Sequence, residues 1–597
     1  MSKQRRLTRL AGVLFLDGFR AAPGWMSLVT AMLVLGSISS TCYPLGYRLL
    51  VDGALGGSLS QVVIGVLVVG GLIAIGWLLT SVGATNAMAL SDRIAIYRTA
   101  SMIKLISGVR TLEHLERPDY LAQVERLNAN RRQLAAAPRT ILSNTSSVAR
   151  IVTLLVLLAT VSPWLLLLPI SAVPPMVADR FAKRISKKAD DDMADSRRLS
   201  GKIFALTTEA GSASEVRAYG LAKHLAALHR RLGGEINRRS GIEATQILGV
   251  QAIGWLVYAA MLMGAVAFVV LRATDGALSL GTVLMTVSLI RRSRNQLASA
   301  AQGSGALVST LATADRLFWL QDHAEEQAAA AGTAPPPEQL RDGIRLRELA
   351  FHYPGTERPI LANVDVNLPA GTTVALIGEN GSGKTTLVKL LLGMYQPDAG
   401  HILVDGVPLT DLDPTAWGER CTAAFQDFAR FQMPAVRSIG VADLPGIDDE
   451  PAADRALARA GVRELVDQLP EGLATRVGTS YTGGHGLSGG QWQRLALGRA
   501  MRREAPLLVV LDEPTASLDA QAEHALFDHY ARSAKENAQR SGAVTVLVSH
   551  RFSTVLMADL IIYLDGGKVV EFGSHTELIE RGGRYAELFE LQAAGYR

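Results

Sequence analysis

Over its first half the chain alternates between long stretches without one charge and stretches crowded with them. Residues 21–47, 61–91, 151–178 and 244–271 carry no Asp, Glu, Lys or Arg, and residues 276–290 form a shorter fifth window. A helix needs about 20 apolar residues to cross a bilayer. These windows therefore predict membrane-spanning helices rather than the buried helices of a soluble core.

Flanking charge sets the topology. Lys3, Arg5, Arg6 and Arg9 precede the first window and predict a cytoplasmic N-terminus. The loops at 92–140 and 180–243, on either side of the third window, are both rich in Arg and Lys. Both belong inside, so the third window must go out and return. Ser162-Pro163-Trp164 supplies the turn, because Pro cannot continue a helix interior and Trp favours the interface. The result is an all-α membrane domain over 1–324 with six helices, at about 22–50, 61–91, 140–162, 163–185, 244–272 and 277–310. Leu7, Leu10, Val13 and Leu14 at helical spacing predict an interfacial helix ahead of the first span. The short apolar run at 10–16 is broken by Asp17 and Arg20 and is not a cleavable signal.

The two basic inner loops are too long for turns. Helical periodicity runs over 93–109, 120–134, 180–206 and 221–232. At about 1.5 Å per residue, continuous helices would carry these loops tens of Å from the bilayer. Their tips, near 115–120 and 212–219, are expected to touch the second half of the chain.

An Ala-, Gly- and Pro-rich linker with Pro335-Pro336-Pro337 occupies 325–339. From Ile344 the pattern changes to short β-branched strands alternating with helices, an α/β domain over 340–597. Composition agrees with this multidomain division. Charged residues make up only 19% of the chain, against roughly 25% in soluble domains, and the deficit lies in the first half. Two cysteines, Cys42 and Cys421, exclude a disulfide framework or a Cys-rich metal site.

The chemistry sits in the second half. Gly378-Glu379-Asn380-Gly381-Ser382-Gly383-Lys384-Thr385, followed by Thr386, has the spacing of a P-loop. It lies between a predicted strand at 372–377 and a predicted helix at 384–393, the context such a loop needs. Glycines let backbone N–H groups approach phosphates, and the helix N-terminus favours negative charge. Lys384 is expected on the β- and γ-phosphates and the Thr385 hydroxyl on Mg²⁺. The aliphatic run 507–511 ends in Asp512-Glu513. On a strand beside the P-loop strand, Asp512 would hold Mg²⁺ and Glu513 would polarise the attacking water as general base.

Leu487-Ser488-Gly489-Gly490-Gln491 narrows the field. Together with the P-loop it resembles the signature of ABC proteins, and nearly the whole chain resembles an ABC exporter half-transporter. The resemblance implies ATP and Mg²⁺ as ligands and a location in the cytoplasmic membrane with both termini inside. It implies that Tyr353, in Phe351-His352-Tyr353, stacks on adenine, and that Gln426 senses Mg²⁺ and the attacking water. It implies that Asp519, in Ser517-Leu518-Asp519, reaches toward a partner ATPase, and that His550 contacts the γ-phosphate. The signature residues Ser488 to Gln491 would close over ATP held by a second half-transporter, identical or not. One position departs from the pattern: the usual Thr-Glu-Val-Gly reads Thr475-Arg476-Val477-Gly478. No peptidase domain precedes the first span, which speaks against peptide exporters that cleave a leader.

The sixth predicted span carries Arg291, Arg292 and Arg294. Ser288, Arg291, Asn295 and Gln302 fall within about 60° on a helical wheel. The stripe either lines a pathway for an anionic or amphiphilic substrate or snorkels to the inner interface. The expected function is ATP-driven export of a hydrophobic or amphiphilic compound such as a drug, lipid or peptide natural product. An importer on the same architecture is the alternative. A soluble ABC ATPase acting on nucleic acid is opposed by the six apolar spans.

Overall fold

The charge-free windows fold as helices, several of them far longer than a bilayer is thick. The computed structural model describes the chain apart from residues 1–11, 13, 14, 17, 21, 276, 277, 357, 515–519, 550–554, 596 and 597. Leu7, Leu10, Val13 and Leu14, on which the predicted interfacial helix rests, lie outside the described residues. In chain order the main helices of the first half are α1 (Pro23–Cys42), α2 (Pro44–Leu55), α3 (Leu59–Gly108), α4 (Glu113–Glu116), α5 (Pro118–Ala129), α6 (Ala137–Ala159), α7 (Val173–Thr208), α8 (Ala210–Ala218), α9 (Ala222–Thr274) and α10 (Leu280–Ala330), with a five-residue turn of helix at Arg131–Ala135. Helices α3, α9 and α10 contain 50, 53 and 51 residues. Each is about 75–80 Å long, against a hydrocarbon core of about 30 Å.

Among the described residues, four segments are long and apolar enough to cross a membrane: Pro23–Leu55, Leu59–Gly108, Ala137–Ala159 and Ala222–Thr274. The first is interrupted at Tyr43, where Pro44 brings no N–H to continue the ladder of α1. The turn expected at Pro163 is present. Ser162 is extended, and residues Pro163–Ala172 form a 3₁₀ helix that runs into α7. The sixth predicted span is the first part of α10, where the arginines lower the apolarity.

Two compact units result. One comprises residues 1–102 and 127–318, the other 103–126 and 319–597. Within the first, small residues let α2 and α3 approach closely. A Cβ on Gly65 would stand 2.6 Å from the Leu50 nitrogen, and one on Gly46 2.6 Å from Val69 Cγ2. Ser39 Oγ donates to the Leu72 carbonyl at 2.7 Å. The Asp52 carboxylate accepts from Ser279 Oγ at 2.8 Å and Gly281 N at 3.0 Å, capping the start of α10.

The second unit is α/β. An antiparallel sheet has the order β2-β1-β4-β5, formed by β1 (Gly343–Phe351), β2 (Leu361–Pro369), β4 (Ala399–Val404) and β5 (Val407–Pro408). A six-stranded sheet has the order β10-β9-β3-β8-β7-β6, with β3 (Thr373–Gly378), β6 (Cys421–Ala424), β7 (Leu508–Asp512), β8 (Val544–Val548), β9 (Leu560–Asp565) and β10 (Lys568–Gly573). All its neighbours pair in parallel except β9 with β10. The order corrects one expectation. The acidic strand β7 is not beside the P-loop strand β3, because β8 lies between them. The register nevertheless aligns the carboxyl ends, with Leu376 opposite Val548, Asp512 opposite Val548 and Ala424 opposite Leu511. Ligands bind at that edge in open parallel sheets.

Candidate nucleotide-hydrolysis site

The buried strand β3 ends at Gly378 with φ +148°, where a Cβ would meet the Leu564 carbonyl oxygen at 2.0 Å. At Gly383, φ is +104° and a Cβ would lie 2.7 Å from Leu361 Cδ2. Only glycine serves at either point. The chain then enters helix α11 (Lys384–Leu391), whose first N–H groups have no intrahelical acceptor.

Lys384 is buried, and its ammonium donates to the Gly378 and Glu379 carbonyls, each at 2.9 Å. Burial lowers its pKa from the ordinary lysine value, opposed by the charges of Glu513 and Asp512. Thr385 Oγ1 donates to Asp512 Oδ2 at 3.3 Å. Burial raises the Asp512 carboxyl above the usual range, the Thr385 hydrogen bond opposes this, and the Glu513 charge adds to it. The hydroxyl and carboxylate are hard oxygen donors of the kind Mg²⁺ takes.

Glu513 follows at the strand end with φ +48°, a left-handed conformation for a non-glycine residue. Its N–H donates to the Val548 carbonyl at 3.0 Å. The Gln493 amide donates to the carbonyls of Glu513 (3.3 Å) and Pro514 (3.0 Å). Gln493 belongs to helix α12 (Gly489–Ala500), which opens at the signature. It was not legible as functional in the sequence, because nothing in the motif indicates a bond to the turn after β7.

Ser488 caps α12. Its Oγ accepts from Gln491 N at 3.2 Å, and Gln491 Oε1 accepts from Ser488 N at 2.9 Å. No hydrogen bond or ion pair among the described residues joins Ser488–Gln491 to the P-loop of the same chain. Gln426 is exposed, two residues beyond β6. Asp519 and His550 lie outside the described residues. The divergent Arg476 stands 4.5 Å over the Tyr481 ring. The loop from Arg476 to His485 is closed by Gly478 N donating to His485 O at 2.7 Å and His485 N donating to Arg476 O at 2.8 Å.

Tyr353 is half-buried, and its hydroxyl lies 3.0 Å from Thr386 Oγ1. Its ring meets Tyr395 edge-on, with centroids 5.5 Å apart. Tyr395 is buried, and its hydroxyl donates to the Glu116 carboxylate in α4. Burial and the Glu116 partner hold that phenol above its ordinary pKa. Leu112 N donates to the Met394 carbonyl at 2.8 Å, and Gln396 N donates to Glu113 Oε1 at 3.5 Å. The tip expected near 115–120 thus packs on the ATPase within one unit. Tyr395 and Glu116 are 279 residues apart, and no sequence signal marks the pair.

A P-loop, an acidic strand end and a serine-capped signature helix on one mostly parallel sheet define an ATP-binding cassette, here in a chain that also carries a bundle of long apolar helices. The ABC transporter family pattern matches residues 361–516. The chain is 32% identical to an ATP-dependent lipid A-core flippase of Pseudomonas putida, over 71% of its own length and 67% of that protein's. It is 30% identical to the flippase of Xylella fastidiosa, over 72% and 70%. A third such flippase, from Bordetella pertussis, is 37% identical over 55% of this chain, and the match spans about half (51%) of that relative's length. A bacterial Atm1-family ABC exporter solved with ATP bound shares the fold, with a TM-score of 0.75 and 22% identity over 96% of this chain and 98% of that one. This chain belongs to the ABC transporter family, with the fold of an exporter half.

Proposed function

We propose that the chain is one half of an ATP-driven exporter that works as a dimer in the cytoplasmic membrane, with six crossing helices and the ATPase inside. The observation that carries this is the docking of 112–116 on Met394, Tyr395 and Gln396. It ties the hydrolytic domain to the loop between two long apolar helices, not only to the linker after α10. Lys384 and the P-loop N–H groups would hold the phosphates of ATP. Thr385, Asp512 and Gln426 would hold Mg²⁺, which supplies neutralisation of phosphate charge when bound. Glu513 would take a proton from the attacking water, and Tyr353 would offer its ring to adenine. Asp519 and His550 keep the roles that the family resemblance implies. Ser488 and Gly490 would act on the nucleotide of the second copy.

The cargo we propose is an amphiphile with an anionic head, and two observations support it. The relatives above are lipid A-core flippases by name. Arg150 and Arg292 are at least half-buried in the helical unit with no carboxylate partner among the described residues. Arg150 reaches Ser147 Oγ at 3.0 Å, and its Nε has no partner. Arg292 stands 4.5 Å over the Tyr43 ring, and one of its terminal nitrogens is buried without a partner. Gln296, one turn on, is buried with Oε1 unpartnered. Cationic groups at membrane depth normally serve a pathway. Of the polar stripe, Ser288 is half-buried while Arg291, Asn295 and Gln302 are exposed on the single chain. We propose that this face lines the route between two copies.

The test is transport by the purified protein in proteoliposomes against a panel of anionic, zwitterionic and cationic amphiphiles. ATP-dependent movement of none of them would overturn the reading. Arg292→Ala is expected to raise the KM for an anionic amphiphile about tenfold or more while sparing basal ATPase, since an uncompensated ionic contact is worth a few kcal/mol. Tyr395→Phe keeps the ring but removes the bond to Glu116. A hydrogen bond to a charged group contributes about 1.5–3 kcal/mol. The molecules transported per ATP hydrolysed should therefore fall several-fold, with nucleotide affinity little changed. Unchanged stoichiometry would remove Tyr395 from coupling.

A further inference from the structure

A second cluster in the ATPase unit lies away from the nucleotide site. His114 in α4, Tyr120 in α5, and Trp319 and His323 near the end of α10 form a closed set of rings. Centroid separations are 4.8 Å for His114–Tyr120, 6.1 Å for His114–His323, 5.4 Å for Tyr120–His323 and 5.4 Å for Tyr120–Trp319. Trp319 and His323 are stacked, with ring planes 10° apart. His114 is 5% exposed and Tyr120 2%. Five polar atoms here are buried without a hydrogen-bond partner: both ring nitrogens of His114, the Tyr120 hydroxyl, Gln123 Oε1 and His323 Nε2. An unsatisfied buried group costs about 1–3 kcal/mol, and a buried unpaired charge costs more. The arrangement therefore tolerates a neutral His114 imidazole and disfavours a charged one.

The charged groups on the packed elements do not offset a proton there. In α4 and its flanks, Glu116 accepts from Tyr395, Glu113 accepts from Gln396 N, and Arg117 pairs with Asp119 at 2.9 Å. Arg110, Glu125 and Arg126 are exposed, as are Asp322, Glu325 and Glu326 beside His323. Asp315 and Arg316 lie about two turns earlier on α10. On the ATPase side of α4, Tyr395 is engaged with Glu116. The Thr111 backbone is close enough to the His114 ring to favour its charged form slightly, but makes no hydrogen bond of good geometry to it and is outweighed by burial.

We propose that His114, packed against the His323 ring, is a proton-operated latch, holding α4–α5 against the end of α10 while its imidazole is neutral and releasing it when that ring is protonated. The sign follows from burial. Desolvation, then the neighbouring His323, lowers the His114 pKa from 6.5. The closed arrangement is thus fully favoured above about pH 6.5 and loses ground as pH falls below it. The latch would loosen the grip of the ATPase on its membrane loop in acid.

Hydrogen–deuterium exchange of peptides covering 109–126, on the full-length protein in lipid and corrected for intrinsic rates, reads the latch without reference to transport. Exchange is expected to rise several-fold, up to about tenfold, between pH about 7.5 and pH about 5.5. His114→Gln should abolish that rise, His323→Gln should shrink it because the burial of His114 remains, and His323→Lys should show fast exchange already at the higher pH. Should His114→Gln fail to fold, the two His323 variants still decide the matter. A wild-type profile flat with pH, or a rise of undiminished size in His323→Gln, would overturn the latch. The activity readout, loss of substrate-stimulated ATPase in acid, rests on the exporter reading. Its failure with the exchange result intact would count against that reading and not against the latch.

Discussion

Glu513→Gln is expected to leave ATP bound while turnover falls by about 10²-fold or more, the usual contribution of a positioned general base. The substitution keeps the size of the side chain and its backbone strain. The φ of +48° at Glu513 is held by the Val548 carbonyl on one side and by the Gln493 amide on the other. A backbone in that region costs about 1–3 kcal/mol, which surrounding contacts must offset, and none of these contacts involves the carboxylate. The phosphate-holding groups keep their partners too, since Lys384 is fixed by the Gly378 and Glu379 carbonyls. The Glu513 charge is among the influences that raise the Asp512 carboxyl. Its removal therefore favours ionised Asp512, and nucleotide retention should be unimpaired. Steady-state phosphate release together with retained nucleotide on the purified protein separates the two effects. Near-normal hydrolysis would place the base elsewhere.

What the sequence disclosed was local, and what it concealed was non-local. The P-loop was readable because β3, the loop and α11 are consecutive, so every group that shapes the phosphate cradle lies within a few residues. The apolar windows were readable because absence of charge over about 20 residues is a solvent property needing no partner. Strand order was not, because nothing in β7 or β8 records which of them lies next to β3. The break between α1 and α2 was written in Pro44, but an uninterrupted charge-free window outweighed it. Along α10 a helical wheel fixes relative angles only, about 100° per residue. It could not say that the buried face would hold Arg292 and Gln296 while Arg291 and Asn295 face outward. The Tyr395–Glu116 and Gln493–Glu513 bonds join motif residues to positions outside any motif, and only the fold brings them together.

Ser488→Arg is expected to abolish hydrolysis in dimers of that variant, and its failure should be repaired from the other chain. Ser488 and Gln491 satisfy one another at the start of α12. The signature therefore forms a preorganised helix N-terminus with no bond to the P-loop of its own chain. A positively charged side chain there opposes the helix dipole and fills the space that ATP on a partner must approach. Loss of the cap alone costs about 1 kcal/mol, too little to stop turnover, and Ser488→Asn, which caps well, is the control and should retain most activity. Lys384→Ala disables the P-loop instead. In a mixed dimer of the two variants, one composite site pairs an intact P-loop with an intact signature, and the other pairs two disabled ones. Activity should return to about half of wild type or less, although neither variant is active alone, as a two-fold assembly with shared sites requires. Purification of tagged heterodimers followed by ATPase measurement decides the point. A single wild-type chain that hydrolyses ATP at full rate as a monomer, or a mixed dimer that stays inactive, would exclude the shared site.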